Sequence, residues 1–188
     1  MKILLPDTWP QLITATISQW RPLLQNNKYK DILVDSLRFL VNENRIILDG
    51  FVIMSNDMHG IWQAVSQISP AGDNSRPGLH GQRPLQNVQQ SFMKFTAQQI
   101  KFDLIKNDPK QLELYKVNAH DRHYHFWKRR SLGIELFSPA VFQQKLDYIH
   151  NNPVRAGLCD VPENYYYSSA KFYQTGIDHF NMITHYDG

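Results

Sequence analysis

The sequence predicts an α+β fold, a ferredoxin-like antiparallel sheet packed with helices. Three observations lead there. Apolar residues alternate with polar ones near residue 13, recur with helical spacing near residue 33, and return as two adjoining β-rich runs after residue 46. A second long helical pattern, an extended stretch and a capped third helix complete the order. That order suits helices laid on one antiparallel sheet.

From Pro10 to Trp20, Ile13, Ala15 and Ile17 alternate with Thr14, Thr16 and Ser18, which predicts a strand. Tyr29 to Asn44 places Leu33, Leu37, Leu40 and Val41 on one helical stripe, with Lys30, Asp31, Arg38 and Glu43 on the wet side. Ile46 to Met54, interrupted by Asp49-Gly50, and His59 to Val65 read as an antiparallel hairpin. A flexible loop is expected over about 68–84, where prolines, glycines and serines concentrate. Gln86 to Lys106 then reads as a helix with Val88, Phe92, Phe95 and Phe102 near one face. Gln111 to Trp127 is expected to be extended in part. Ser138-Pro139 is an N-cap followed by proline at the first helical position, opening a helix through Phe142, Leu146 and Ile149 that should stop before Pro153.

The 188 residues suit a single domain, with a core over about 10–173. The net charge of +3, 20 basic against 17 acidic residues, leans mildly towards a polyanionic partner. One cysteine, Cys159, excludes an internal disulfide and a cysteine-based zinc site. Neither a signal peptide nor a membrane span of about 20 apolar residues is evident, so a cytoplasmic protein is expected.

Three stretches hold residues suited to chemistry. In Asn56-Asp57-Met58-His59, residues two apart on a strand share a face. Asp57 and His59 could then aim an oxygen and a nitrogen at one divalent ion such as Mg²⁺ or Mn²⁺. The same residues also suit a plain turn. In Asp147 to Pro153, Tyr148 and Asn152 are helical neighbours at i and i+4. They suit a nucleophile beside a ligand, but on local sequence alone a packed tyrosine near capping asparagines is the plainer reading. Arg122, Lys128, Arg129 and Arg130 lie among Tyr124, Phe126 and Trp127. Basic groups there would bind phosphates, and aromatic faces would stack on unpaired bases. A solvated basic face beside buried aromatics is the plainer alternative.

Together these stretches resemble the single-tyrosine HUH transposases, and among them the REP-associated tyrosine transposases. The resemblance rests on Val52-Ile53-Met54-Ser55-Asn56-Asp57-Met58-His59-Gly60-Ile61, then Phe92-Met93-Lys94-Phe95-Thr96. It continues through Tyr148-Ile149-His150-Asn151-Asn152-Pro153-Val154-Arg155-Ala156-Gly157-Leu158 and Tyr165-Tyr166-Tyr167-Ser168-Ser169. It spans about Thr14 to Tyr173. It implies an HUH-endonuclease fold and a metal-dependent tyrosine transposase. Such an enzyme binds and cuts single-stranded or hairpin DNA through a 5′-phosphotyrosine. Tyr148 is then the nucleophile, Asp57, His59 and Asn152 the ligands of Mg²⁺ or Mn²⁺, and Lys94, Lys101, Arg122, Trp127, Lys128, Arg129, Arg130 and Arg155 the DNA contacts. Both a monomer and a homodimer are compatible with the resemblance.

The sequence departs from the family's motif in three places. Asp57 stands where the first histidine is usual, Ser55 replaces a proline, and Gly60 replaces a large apolar residue. The change at Asp57 motivates the runner-up, a relative that binds hairpin DNA but cuts it poorly. A third reading, an RNA-binding module, would need aromatics on the sheet strands and has no use for Tyr148 beside a metal.

Overall fold

The computed structural model describes residues 9–65, 84–119, 122–128 and 133–186. The loop expected over 68–84 falls outside them, except Pro84, which opens a helix. The strands are β1 (Gln11–Thr16), β2 (Ile46–Ile53), β3 (Asp57–Ala64), β4 (Lys116–Ala119), β5 (Arg122–Tyr124) and β6 (Gly133–Glu135). The helices are α1 (Asn27–Asn42), α2 (Pro84–Asn107), α3 (Pro109–Glu113), α4 (Pro139–Arg155) and α5 (Ala170–Thr175). Four strands form one antiparallel sheet in the order β2-β3-β1-β6, and β4 pairs with β5 separately. Among the described residues no helix is long and apolar enough to cross a membrane.

The sheet separates two apolar cores. One lies under α1 and α2, where Ile13, Ala15, Met58 and Trp62 meet Leu33, Leu37, Phe92 and Ile100. The other lies under α4, where Leu12, Val52 and Ile61 meet Phe142, Leu146 and Ile149. The strand pleat sends alternate side chains to each core. The helices therefore cover both faces, with α4, joined by Tyr173 of α5, against the side that carries Asp57 and His59.

Two glycines allow close packing. A Cβ on Gly50 would meet Leu146 Cδ1 at 2.7 Å. Gly50 therefore lets α4 lie directly on β2, at the bulge where the β2–β3 register shifts after Leu48. On the opposite face the Trp62 ring covers Gly60, and a Cβ there would meet it at 2.9 Å. The fully buried indole fills the space that a large residue at position 60 would need.

The C-terminal segment closes the free edge of β2. Ile53 N donates to Tyr167 O (2.9 Å), Ser169 N to Phe51 O (2.9 Å), and the Tyr165 hydroxyl to Ile53 O (2.8 Å). Ser169 Oγ accepts from Phe51 N (2.9 Å) and lies 2.8 Å from His150 Nε2 on α4. The serine thus joins the tail, the sheet and α4 in one buried contact.

Several expected details change. Lys30 is buried rather than wet: its ammonium lies 4.7 Å from the Tyr167 ring centre and donates to the Tyr165 hydroxyl. Its long stem reaches the tail that packs on α1. On α2 the buried stripe recurs every fourth residue at Val88, Phe92, Thr96, Ile100 and Leu104. Phe95 and Phe102 fall off the edge of that stripe and are exposed. Gln111 to Glu113 belong to α3, so the extended stretch begins only at Lys116. Helix α4 does not stop before Pro153 but continues to Arg155. Proline lacks only one donor, and the helix ends instead at Gly157, whose φ of 67° is left-handed. There Gly157 N bonds Val154 O and Leu158 N bonds Pro153 O, which satisfies the last turn.

Burial acts oppositely on one acid and one base around this tail. It pushes the Asp49 carboxyl up to about 7, and the His150 imidazole down to about 4. Folded Asp49 holds a proton that the unfolded chain releases near 3.8, so its contribution to stability falls as pH rises from about 4 to about 7. Folded His150 refuses a proton that the unfolded chain takes up near 6.5, so its contribution falls as pH drops from about 6.5 to about 4. Urea unfolding of Asp49→Asn should show a stability difference from the natural protein that grows in the variant's favour by about 1.4 kcal/mol per pH unit between pH 4 and 7. For His150→Gln the difference should grow in the variant's favour as pH falls from 6.5 to 4. Differences that stay constant with pH would contradict both assignments. Gly50→Ala should cost about 1–3 kcal/mol through overpacking against Leu146, read from the same unfolding curves. An unchanged midpoint would show that α4 can shift at no cost.

Candidate functional site

The β2–β3 turn decides what Asp57 is. Ser55 and Asn56 form a two-residue connection, and Met54 N bonds Asp57 O at 2.8 Å. Asp57 is therefore the first residue of β3, not part of the turn. Asp57 and His59 share the face that α4 covers, and Asp57 Oδ2 lies 3.8 Å from His59 Nε2. Two donors each about 2.1 Å from one ion stand about 3.0 Å apart at a right angle and about 4.2 Å apart when opposite. The observed separation lies between these limits, so the pair fits a shared divalent ion. Among the described residues no three His, Cys, Asp or Glu side chains gather around one point. Among the described residues, a third protein donor would have to be of another type, and the Asn152 amide is the one the family resemblance implies.

The partner strand fixes the imidazole. The register pairs Thr14 with His59, and Thr14 Oγ1 lies 2.9 Å from His59 Nδ1. With Nδ1–H donating to that hydroxyl, Nε2 presents its lone pair towards Asp57. Sequence reading missed Thr14. Its alternation with Ile13 and Ala15 marks the polar face of β1, but only the long-range register shows which histidine it meets. Burial pushes the Asp57 carboxyl above the usual carboxylate range, partly offset by the charge of His59. Burial also pushes the His59 imidazole down, partly offset by Asp57. A neutral imidazole is the form that can donate its lone pair to a metal.

Helix α4 brings Tyr148 to this pair within the same chain. The Tyr148 ring stands edge-on to His59, with ring centres 6.0 Å apart at 82°. Tyr148 is 42% exposed, and solvent reaches it through a shallow groove of about 300 Å³ lined by Gln144, Lys145, Asp147, Tyr148, Asn151 and Arg155. Asn152 is half-buried one helical turn further on. The Arg155 guanidinium carbon lies 5.4 Å from the Tyr148 ring centre. Because α4 passes through Pro153, Tyr148, Asn152 and Arg155 fall at i, i+4 and i+7 on one helical surface.

The expected DNA contacts are scattered. Trp127 is only 5% exposed, and its indole N–H donates to Thr96 Oγ1 at 3.1 Å. It is a core residue with no face for a base, because the α1–α2 side of the sheet needs its bulk. Lys94 and Lys101 belong to α2, which covers the opposite side of the sheet from Asp57. They do not share the face of the candidate centre. The Lys101 ammonium lies 5.7 Å from the Tyr124 ring centre. Lys128 lies at the Asp57 end of the sheet, where Lys128 N bonds Thr16 O at 2.8 Å. Arg122 opens β5, and Arg129 and Arg130 fall outside the described residues.

No protein-family model matches the chain, and no curated protein does. Among solved structures the chain is similar to a REP-associated tyrosine transposase bound to a REP hairpin. The TM-score is 0.56 at 14% identity, over 100% of this chain and 93% of that one. At this identity the likeness is one of fold, and it covers the antiparallel four-stranded sheet of this chain and the helices packed on it.

Proposed function

We propose that this chain is a metal-dependent tyrosine endonuclease and transposase that acts on single-stranded DNA carrying hairpins. The observation that carries the reading is the half-exposed Tyr148 ring, edge-on to His59 on the face where Asp57 lies 3.8 Å away. The fold shared with a transposase bound to hairpin DNA supports the same class of partner here.

Asp57, His59 and Asn152 would hold the ion, with Thr14 keeping His59 Nε2 turned towards it. When bound, the ion supplies Lewis-acid polarisation of the scissile phosphate. The Tyr148 oxygen attacks phosphorus in line and loses its proton. The bond from phosphorus to the 3′ oxygen breaks, and that oxygen gains a proton. The product is a 5′-phosphotyrosine and a free 3′-hydroxyl. The phosphodiester energy stays in the tyrosyl link, so rejoining needs no nucleotide. Arg155, beside the Tyr148 ring, would meet a phosphate next to the one attacked.

Asp57 itself favours a second reading, a hairpin-binding protein that cleaves weakly. A carboxylate lowers the positive charge that a bound ion offers to the phosphate, and its shorter side chain sets the ion differently from an imidazole. Mn²⁺ tolerates mixed nitrogen and oxygen ligands and imperfect geometry better than Mg²⁺.

Covalent protein–DNA adduct on a denaturing gel tests both readings, with hairpin oligonucleotides bearing single-stranded flanks. The natural protein should form adduct with Mn²⁺ and less with Mg²⁺, and Tyr148→Phe should form none. Asp57→His should raise the yield rate by up to about 100-fold, the scale of a misplacement of about 1 Å. Equal adduct from the natural protein and Asp57→His in both metals would show that Asp57 is a fully competent ligand. Tight hairpin binding with no adduct from either protein would favour the binding-only reading.

A further inference from the structure

The strand that leaves the candidate centre needs a surface to lie on, and Trp127 is buried. A different tryptophan stands in the open. Trp20 is 64% exposed, at the end of the short turn Ser18–Trp20 that follows β1. Gln19 and Trp20 have φ of 58° and 52°, consecutive left-handed residues that carry side chains. Such backbone is rarely adopted without glycine or asparagine and is held here by its surroundings. Ile17 N bonds Asn56 O at 2.8 Å, Ser18 N bonds Phe126 O at 2.6 Å, and Trp20 N bonds Ile17 O at 3.0 Å. The scaffold thus fixes the turn in a shape that keeps a large aromatic ring out of the core.

The register places Lys128, which meets this ring, at the same end of the sheet as the centre. Thr16 pairs with Asp57 across β1 and β3. On the other side of β1, Ile17 bridges antiparallel to Trp127, so Lys128 opposes Thr16, consistent with its 2.8 Å backbone bond. Asp57, Thr16 and Lys128 therefore stand side by side across the sheet on one face, with Lys128 about 10 Å from Asp57, two strand spacings away. The Lys128 ammonium lies over the Trp20 ring. One face of the indole holds a cation, and most of the residue is open to solvent.

Resting on the reading of this chain as a single-strand DNA enzyme, we infer that Trp20 and Lys128 form a base-stacking platform for the unpaired DNA next to the scissile phosphate. An aromatic face stacks on any unpaired base, and an ammonium beside it meets the backbone phosphate. Neither feature is needed by the core, since Trp20 touches solvent and the apolar packing of the turn is supplied by Ile17, Leu23 and Leu24. Pairs inside a hairpin stem are stacked on both faces and have none to offer, so the platform favours unpaired flank over stem.

The test compares a blunt hairpin with the same hairpin carrying single-stranded thymidine extensions. Fluorescence polarisation is read in EDTA with Tyr148→Phe as the parent, so that no cleavage intervenes. Trp20→Ala should weaken binding of the extended hairpin by about 5- to 150-fold, the range of one base–aromatic stack, and leave the blunt hairpin within about 2-fold. Trp20→Asn, which suits the left-handed backbone, should show the same loss, and Trp20→Phe should recover most of it. Equal loss for both hairpins, or no loss for either, overturns the platform while leaving the DNA reading intact. A parent protein that binds neither hairpin overturns the DNA reading and the platform with it.

Discussion

Gly50 allows Leu146 to approach the backbone of β2, and the position of the candidate nucleophile follows from that approach. With α4 seated on the sheet, Leu146 and Ile149 point into the apolar layer made by Leu12, Val52 and Ile61. Tyr148, between them in sequence, turns towards the rim of the same layer, where β3 begins. Its ring meets His59 because the β3 pleat sends His59 to that face and the β1 register supplies Thr14 to hold it. A helix set back from the sheet by a side chain at position 50 would carry the phenol away from the pair. The geometry of the candidate centre thus rests on a contact between apolar atoms.

The tail reinforces that contact from the other side. Ser169 binds both Phe51 and His150, so the segment that closes the β2 edge also ties down the middle of α4. Because His150 is buried and its imidazole is pushed down to about 4, it acts as a neutral hydrogen-bonding group over the range in which a free histidine changes charge. His150 lies in the same motif as Tyr148 but does different work: it holds the helix, and Tyr148 faces the sheet. Thr14 does for His59 what Ser169 does for His150. In both, a hydroxyl occupies one ring nitrogen and fixes how the other can be used.

Local periodicity carried much of this in the sequence. The alternation in β1, the two-residue step from Asp57 to His59, and the four-residue step from Tyr148 to Asn152 are properties of single elements, and each has its expected secondary structure. What was illegible depends on long-range packing. The two cores on opposite sides of the sheet separate Lys94 and Lys101 from Asp57, although all three lie in plausible positions by sequence. Trp127 sits in a basic, aromatic stretch that reads as a nucleic-acid surface, yet tertiary packing claims its ring. Trp20 lies in a stretch that reads as the end of a strand, yet the chain turns left-handed and exposes it. Pro153 suggested a helix end by local sterics. The stronger signal was Gly157, whose left-handed turn caps the helix two residues beyond Arg155.

The central claim is that Asp57, His59 and Tyr148 of one chain surround one metal position. Paramagnetic broadening by Mn²⁺ tests it without DNA and without catalysis. In protein with ¹³C-labelled tyrosine rings, the Tyr148 signal, assigned by its loss in Tyr148→Phe, should be the first of the nine tyrosines to vanish as Mn²⁺ is added. His59→Ala should abolish that selectivity. A Tyr148 signal that persists while other tyrosines broaden, or selective broadening that survives His59→Ala, would place the metal elsewhere and contradict the account.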